Sequence, residues 1–273
     1  MTDSFQASVE RDLVVVEGPD ATKFLQSLVS QDLDAIALGA SGHALLLQPQ
    51  GKLLVDFYVA HVEPDTWWCV CERGFGAELA SGLNRFKIRV KASVTEVPVA
   101  ALAVRGASAS AGGTGVQFVA VDWPGGEAFE AIGPADAIAA VGTAVDAPVI
   151  DASAYERARI EAGVPRQGLD TDDRTIPQEA GLERFAVSFT KGCFVGQELV
   201  CRIDTRGHVN RNLRRLRASS GSLAPGAVVS LDGREVGAVT STAGDVALAM
   251  LRREVEPGAS VLVGDVAVAV EAI

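Results

Sequence analysis

A chain of 273 residues, 48% of them apolar, is long enough to bury a sizeable core and to form two or three small domains. No apolar run is long enough to span a bilayer, and the polar, acidic start MTDSFQASVERD lacks the basic-then-apolar layout of a secretory signal, so a cytoplasmic location is expected. A net charge of −11 disfavours a broad nucleic-acid-binding surface, and four cysteines without a secreted-scaffold spacing are expected to be reduced.

Residues 13–17 predict a strand, and Gly18-Pro19-Asp20 turns the chain into a helix with Phe24, Leu25 and Leu28 on one face. Residues 42–48 and 53–62 are apolar runs parted by Pro49-Gln50-Gly51-Lys52, which is a hairpin signal. Another strand is expected at 66–72, after the turn Glu63-Pro64-Asp65. A helix is expected at 75–86, where Leu79, Leu83 and Phe86 are spaced for burial. Strands are predicted near 99–104, 117–121 and 128–132. The small-residue stretch 106–115 reads as a hairpin tip, because Gly112, Gly113 and Gly115 make no phosphate-loop pattern.

Residues 152–162 read as a helix capped by Asp151. The Pro- and Gly-punctuated stretch 163–181 is long for a connection inside a compact domain, a length that often accompanies function. A short helix is predicted at 196–202 and a crossing into a new domain at 210–217. The Val-rich runs 227–230, 236–240 and 266–270 then indicate a small antiparallel barrel or sandwich. Strands and helices alternate without a βαβ rhythm, so the fold class is α+β, with domains at 1–209 and 210–273.

The chemistry concentrates in Lys191-Gly192-Cys193-Phe194-Val195-Gly196-Gln197-Glu198. A thiol on a glycine-flanked turn, with a lysine two positions before it and a predicted helix start after it, is pushed toward thiolate by each neighbour. Gly192 permits close backbone approach or an unusual backbone angle. Gln197 and Glu198 add hydrogen-bonding groups in the first helical turn. The competing role for Cys193 is that of a small buried apolar residue.

Cys201 lies about two helical turns from Cys193, and together they fall short of the four cysteines that ordinarily hold an iron–sulphur cluster. Cys69 and Cys71 alternate on a strand among Trp67, Trp68 and Val70, which points to packing. His43, His61 and His208 have no zinc spacing, so no stably bound metal is expected. Asp56 shares one strand face with Tyr58, while Val55, Phe57 and Val59 share the other. Asp56 is therefore either a reacting carboxylate or a polar-face residue.

Residues 184–217 carry a local charge of +6, which leaves −17 on the remainder. Such a strip, with Arg202, Arg206 and Arg211, either attracts one anionic ligand or pairs with acidic residues across a domain junction. It holds few aromatics, so direct nucleic-acid binding by base stacking has little support.

KGCFVGQE resembles the signature of the folate-binding YgfZ proteins, relatives of the glycine cleavage T protein (the aminomethyltransferase GcvT) and of mitochondrial iron–sulphur assembly factors. The resemblance extends through Phe24-Leu25-Gln26-Ser27-Leu28-Val29-Ser30-Gln31-Asp32, Ala44-Leu45-Leu46-Leu47-Gln48-Pro49-Gln50-Gly51-Lys52, Arg159-Ile160-Glu161-Ala162-Gly163-Val164-Pro165 and Ile176-Pro177-Gln178-Glu179-Ala180-Gly181-Leu182. It implies folate-domain subdomains around a central cavity, followed by a C-terminal β-barrel.

The resemblance further implies tetrahydrofolate, or a one-carbon-substituted form, as ligand, with Glu161 recognising the pterin. It implies Cys193 as a reactive thiol beside Lys191. The implied role is accessory, in iron–sulphur cluster assembly or repair and thereby in tRNA modification, with assembly proteins or client enzymes as partners. Aminomethyltransferases usually carry paired aspartates where this chain has Val55 and Asp56, so folate-dependent aminomethyl transfer with Asp56 as general acid or base is the alternative. T proteins keep residues like Lys191, Phe194 and Gly196. The YgfZ branch is thus distinguished by Cys193, Gln197 and Glu198.

Overall fold

Period-two alternation of apolar side chains drives the first half of the chain into sheet. In chain order the elements are β1 (Phe5–Val9), β2 (Arg11–Glu17), α1 (Ala21–Gln26), β3 (Ser41–Leu47), β4 (Leu53–Glu63), β5 (Thr66–Glu72), α2 (Gly76–Asn84), β6 (Ser93–Val97), β7 (Ala100–Arg105), β8 (Gln117–Ala120), β9 (Ala128–Gly133) and α3 (Ala135–Ala144). There follow α4 (Ala152–Ala162), α5 (Glu183–Ala186), α6 (Gln197–Arg206), β10 (Arg211–Ala218), β11 (Val228–Leu231), β12 (Arg234–Ala243), β13 (Val246–Arg252), β14 (Ser260–Val263) and β15 (Val266–Glu271). The computed structural model describes residues 4–108 and 114–273, so Gly112 and Gly113 of the expected hairpin tip lie outside the described residues.

The chain divides into two compact units, one of the described residues up to Ala152 with Arg184–Leu199, the other of Ser153–Glu183 with Val200–Ile273. The first holds a five-stranded sheet, order β3-β4-β5-β2-β6, and a four-stranded sheet, order β1-β7-β9-β8. Both faces of the five-stranded sheet are buried. On one, Val55, Phe57 and Val59 pack with Trp67, Cys69 and Cys71 and with Phe24, Leu25, Leu79 and Leu83 from α1 and α2. On the other, Leu13, Tyr58, Ala60 and Val70 meet Ala101, Val119 and Ile132 of the four-stranded sheet. The far side of that second sheet is covered by α3 through Ile138 and Val141. Each fully buried large apolar side chain contributes about 1.5–3 kcal/mol, so the sheet-on-sheet layer fixes the unit.

A charged staple joins the same two sheets. Arg11 donates to both carboxylate oxygens of Glu130 on β9, at 2.8 and 2.7 Å, and also contacts Glu72. Burial pushes the Glu130 carboxyl up, but Arg11 and Arg105 outweigh it and hold it below its usual range.

The expected helix at 75–86 ends at Asn84, so Phe86 leaves the buried face and is 40% exposed. Residues 210–217, read as a crossing, form β10 instead. The Val-rich tail closes into a six-stranded antiparallel barrel, order β10-β13-β12-β11-β14-β15, which leaves no free sheet edge.

In the second unit the long stretch 163–181 is stitched down by buried polar groups. The Arg159 guanidinium, 3% exposed, donates to Asp170 at 2.7 Å, to Glu156 at 2.6 Å, to the Val164 carbonyl at 2.6 Å and to Ser241 at 2.9 Å. Asp170 in turn accepts from Ser241 and from the Arg166 amide. Farther along, Arg211 donates both to Oε1 and to Oε2 of the buried Glu179. Replacing Arg159 by Met leaves Asp170 buried without its cation. Chemical denaturation should show a loss of about 3–5 kcal/mol. Arg174→Met, at an exposed pair with Asp172, should stay within about 0.5 kcal/mol.

Candidate functional site

α1 ends at Gln26, and the turns that follow expose backbone carbonyls with no helical partner. Lys191 supplies the missing donors. Its Nζ donates to the carbonyls of Gln26, Val29 and Gln31 at 2.8, 2.8 and 2.7 Å, with the Gln26 side-chain oxygen at 3.2 Å. Burial lowers the ammonium to about 8, against the pull of Asp32 and Asp34. The ammonium thus has a structural task in addition to any influence on the thiol.

The same turns bind the motif's approach. The fully buried Ser30 hydroxyl donates to the Ala186 carbonyl and accepts from the Leu45 amide. Gln31 donates to the carbonyls of His43 and Phe185. The segment Gln26–Asp32, conspicuous in the sequence, is the seam that fastens residues 185–191 to β3.

Beyond Lys191 the motif combines exposed and buried residues. Phe194 is buried, and its amide donates to the Gln197 side-chain oxygen at 2.7 Å, so Gln197 closes the turn that starts α6. Gly196 has φ +78°, and a Cβ there would lie 2.4 Å from the Gln48 carbonyl oxygen. Gly51, the turn residue of the β3–β4 hairpin, is its counterpart: a Cβ on it would meet Leu199 at 2.7 Å and the Gly196 carbonyl at 2.9 Å. Two glycine turns therefore lock backbone to backbone. Gly192 departs from expectation. It is not in the left-handed region, and a Cβ there would meet nothing within 4 Å.

Cys193 is exposed, as a reactive thiol requires, and Glu198 is exposed too. Cys193 precedes α6 by four residues, so helical spacing does not align it with Cys201, which is partly buried within that helix. Cys69 and Cys71 are core residues. Burial pushes Cys69 up to about 12 and raises Cys71 as well.

Asp56 lies on the β4 face expected for it, with Tyr58, while Val55, Phe57 and Val59 point into the core. It is paired with His43, whose spacing in the sequence speaks only against zinc. His43 on β3 is paired directly with Tyr58 on β4, diagonal to Asp56. The imidazole stacks on the Tyr58 ring with centroids 4.5 Å apart. Its Nε2 contacts Asp56 Oδ1 in a short hydrogen bond, and its Nδ1 contacts Asp122 Oδ2 at 2.5 Å. The Asp122 amide donates to the Tyr58 hydroxyl. Burial works against charging His43, but Asp56 and Asp122 together outweigh it and raise the imidazole to about 9. Burial raises the Tyr58 phenol, and the two carboxylates add to the shift. The hairpin register carried the signal for His43 opposite Tyr58; nothing in the sequence pointed to Asp122.

Glu161 belongs to the second unit, whereas Asp56 and Cys193 belong to the first. Its carboxylate pairs with Arg157 at 2.9 Å, one turn back on α4, and its side chain is 41% exposed. Of the basic strip, Arg211 is committed to Glu179, and Arg215 and Arg217 are committed to Glu271. These three are ion-paired, but all within the second unit, and Arg215 and Arg217 with a neighbouring barrel strand, not across a domain junction. Arg202 and Arg206 on α6 are exposed, and neither has a carboxylate within 4.0 Å among the described residues. No group of three or more His, Cys, Asp or Glu side chains disposed to hold a metal ion occurs among the described residues.

Lys191→Met should strip the donors from three carbonyls and lower stability by about 2–4 kcal/mol in denaturant unfolding. Gly196→Ala should cost more than about 2 kcal/mol, because the methyl meets backbone in a left-handed turn. Gly192→Ala should stay within about 0.5 kcal/mol.

Two family models match the chain: the GCVT N-terminal domain at residues 7–112 and the CAF17 C-terminal β-barrel domain at residues 211–272. The human iron–sulphur cluster assembly factor IBA57, mitochondrial, is 30% identical over 274 residues, covering 89% of this chain and 76% of that protein. The mitochondrial IBA57 homolog of Mycosarcoma maydis is 28% identical over 220 residues, covering 74% of this chain but only 54% of that longer protein. Among solved structures, the glycine cleavage system aminomethyltransferase T of Bartonella henselae shares the fold, with a TM-score of 0.83 at 20% identity, covering 99% of this chain and 86% of that one. No helix among the described residues is long and apolar enough to cross a membrane. With a GCVT domain, a CAF17-type barrel and a human relative matched along most of both chains, this chain belongs to the family of the iron–sulphur cluster assembly factor IBA57.

Proposed function

We propose that this chain is a tetrahydrofolate-binding accessory protein of iron–sulphur cluster assembly or repair, and so an indirect support of tRNA modification by iron–sulphur enzymes. Relatives named as assembly factors support the first part, and the GCVT domain with its aminomethyltransferase-type fold supports the folate. The observation that carries the reading is Cys193, an exposed thiol on a turn fastened from both sides by Lys191 and Gly196. A thiol so held meets a partner's sulphur or metal without an ordering cost of its own. The partners are assembly proteins or their client enzymes.

For the folate, Glu161 has the right chemistry. Its carboxylate is oriented by one guanidinium yet 41% exposed, so it can accept from the amine and amide edge of a reduced pterin. Arg202 and Arg206, exposed and without an ion pair among the described residues, suit the glutamate tail. Tetrahydrofolate, when bound, supplies a one-carbon carrier. The accessory reading is preferred to aminomethyl transfer because Val55, at the place of the second aspartate, is fully buried in the core. A carboxylate at that position would be desolvated without a partner.

Two experiments test the reading. In cells whose own copy is replaced by variants, Cys193→Ser should abolish most of the gain in iron–sulphur enzyme activity while Cys201→Ser retains it. Full activity with Cys193→Ser removes the thiol from the account. Titration of the purified chain with tetrahydrofolate should give an affinity at least about tenfold weaker for Glu161→Ala, or about 1.4 kcal/mol. An unchanged affinity removes the pterin assignment.

A further inference from the structure

The face of β4 that carries Asp56 is covered by the four-stranded sheet and its following loop, where charge is costly unless paired. His43 is 7% exposed there, with a carboxylate oxygen against each ring nitrogen. A neutral imidazole has one N–H and one bare lone pair, and a bare lone pair facing a carboxylate oxygen is repulsive. With both carboxylates ionised, both contacts are attractive only when both nitrogens carry protons. The groups facing the ring are few: Asp56 and Tyr58 from β4, Asp122 after β8, and Glu130 of β9 acting through Tyr58. Gln31 engages the His43 backbone carbonyl and carries no charge.

We propose that His43 is a positioning residue, an imidazolium clamped between Asp56 and Asp122 that fixes Asp56 as a hydrogen-bond acceptor and withdraws it from acid–base work. The cluster of two carboxylates and one imidazolium carries a net negative charge beside Asp122, whose side chain is 32% exposed. It therefore favours ligand groups that donate N–H bonds or carry positive charge. A proton taken up by Asp56 cancels the charge that faces the His43 N–H, which leaves that cation half-paired where it is largely buried. Where the aminomethyltransferase-type role would place a working acid or base, this chain holds an ion cluster. This deepens the folate-binding reading and rests on it only for the identity of the ligand.

Nitrogen NMR of the ring, assigned by difference against His43→Gln, reads the protonation directly. Both ring nitrogens should remain protonated through pH 8, with a midpoint near 9. Asp122→Asn should lower the midpoint by at least about one pH unit, as removal of a paired charge does. Because the folded state binds this proton more tightly than the unfolded chain, its stabilising effect is complete below the ordinary histidine value and is lost as pH rises through about 9. The unfolding midpoint should fall over that window, and fall less in Asp122→Asn. A midpoint near the ordinary histidine value, unmoved by Asp122→Asn, overturns the proposal. The measurement needs no ligand. A midpoint near 9 without tetrahydrofolate binding upholds the clamp and removes the folate reading. An ordinary midpoint with intact binding does the reverse.

Discussion

The Lys191 ammonium is the interaction on which the placement of the thiol depends. A chain leaving α1 has carbonyls that no helical amide satisfies, and three of them converge on one point. A compact ammonium with three rotatable donors suits that point; a planar guanidinium, with its donors fixed in a fork, does not. The donor comes from 160 or more residues downstream, so one contact closes a long loop and brings the motif against the N-terminal seam. Loop closure of that length is entropically costly. It is held by several contacts at once: the ammonium, the Ser30 hydroxyl and the paired glycine turns at Gly51 and Gly196. Cys193 is exposed because the residues around it are engaged.

A second constraint is the sheet-on-sheet layer. Apolar packing supplies most of its stability, yet two sets of charged side chains cross it. Arg11 with Glu130 is one and His43 with Asp122 is the other. Their composition differs in a telling way. Arg11 and Arg105 overbalance Glu130, so that set serves as a staple whose charge is fixed over the working range of pH. The His43 set holds two carboxylates on one titratable cation, so its net charge is negative and its integrity depends on a single proton. A histidine at this place adds an alkaline-side pH dependence to the layer.

Much of the fold was legible where local rules decide. The Pro49–Lys52 turn and its flanking alternation gave the β3–β4 hairpin, and the bounds of α4 followed from its pattern. The helix at 75–86 was read too long because Phe86 continued the apolar spacing after the hydrogen-bonded helix had ended. The short strands β1 and β6 and the alanine-rich α3 had no expectation at all. Their stability comes from pairing and covering partners distant in sequence, which local pattern does not encode. The same divide runs through the site. Asp56 and Cys193 were visible from strand alternation and a motif. His43 was hidden because spacing for zinc is a one-dimensional test, whereas its role follows from cross-strand register. The pairing of Arg211, Arg215 and Arg217 was undecidable from a charge count, since Glu179 and Glu271 lie tens of residues away.

Sorting the octapeptide by what each side chain does narrows its chemistry. Lys191 holds carbonyls, Phe194 and Val195 pack with the core, Gly196 admits the hairpin turn and Gln197 closes its own. Gly192, Cys193 and Glu198 remain, all exposed, with Gly192 meeting no steric demand. The motif thus exposes two functional groups, a thiol and a carboxylate, while Lys191, Phe194, Val195, Gly196 and Gln197 hold or pack the turn that carries them. The visible work of Gln197 is structural, since its side-chain oxygen accepts from the Phe194 amide. The thiol and the carboxylate face outward from a turn that the Lys191 ammonium and the paired glycine turns hold in place.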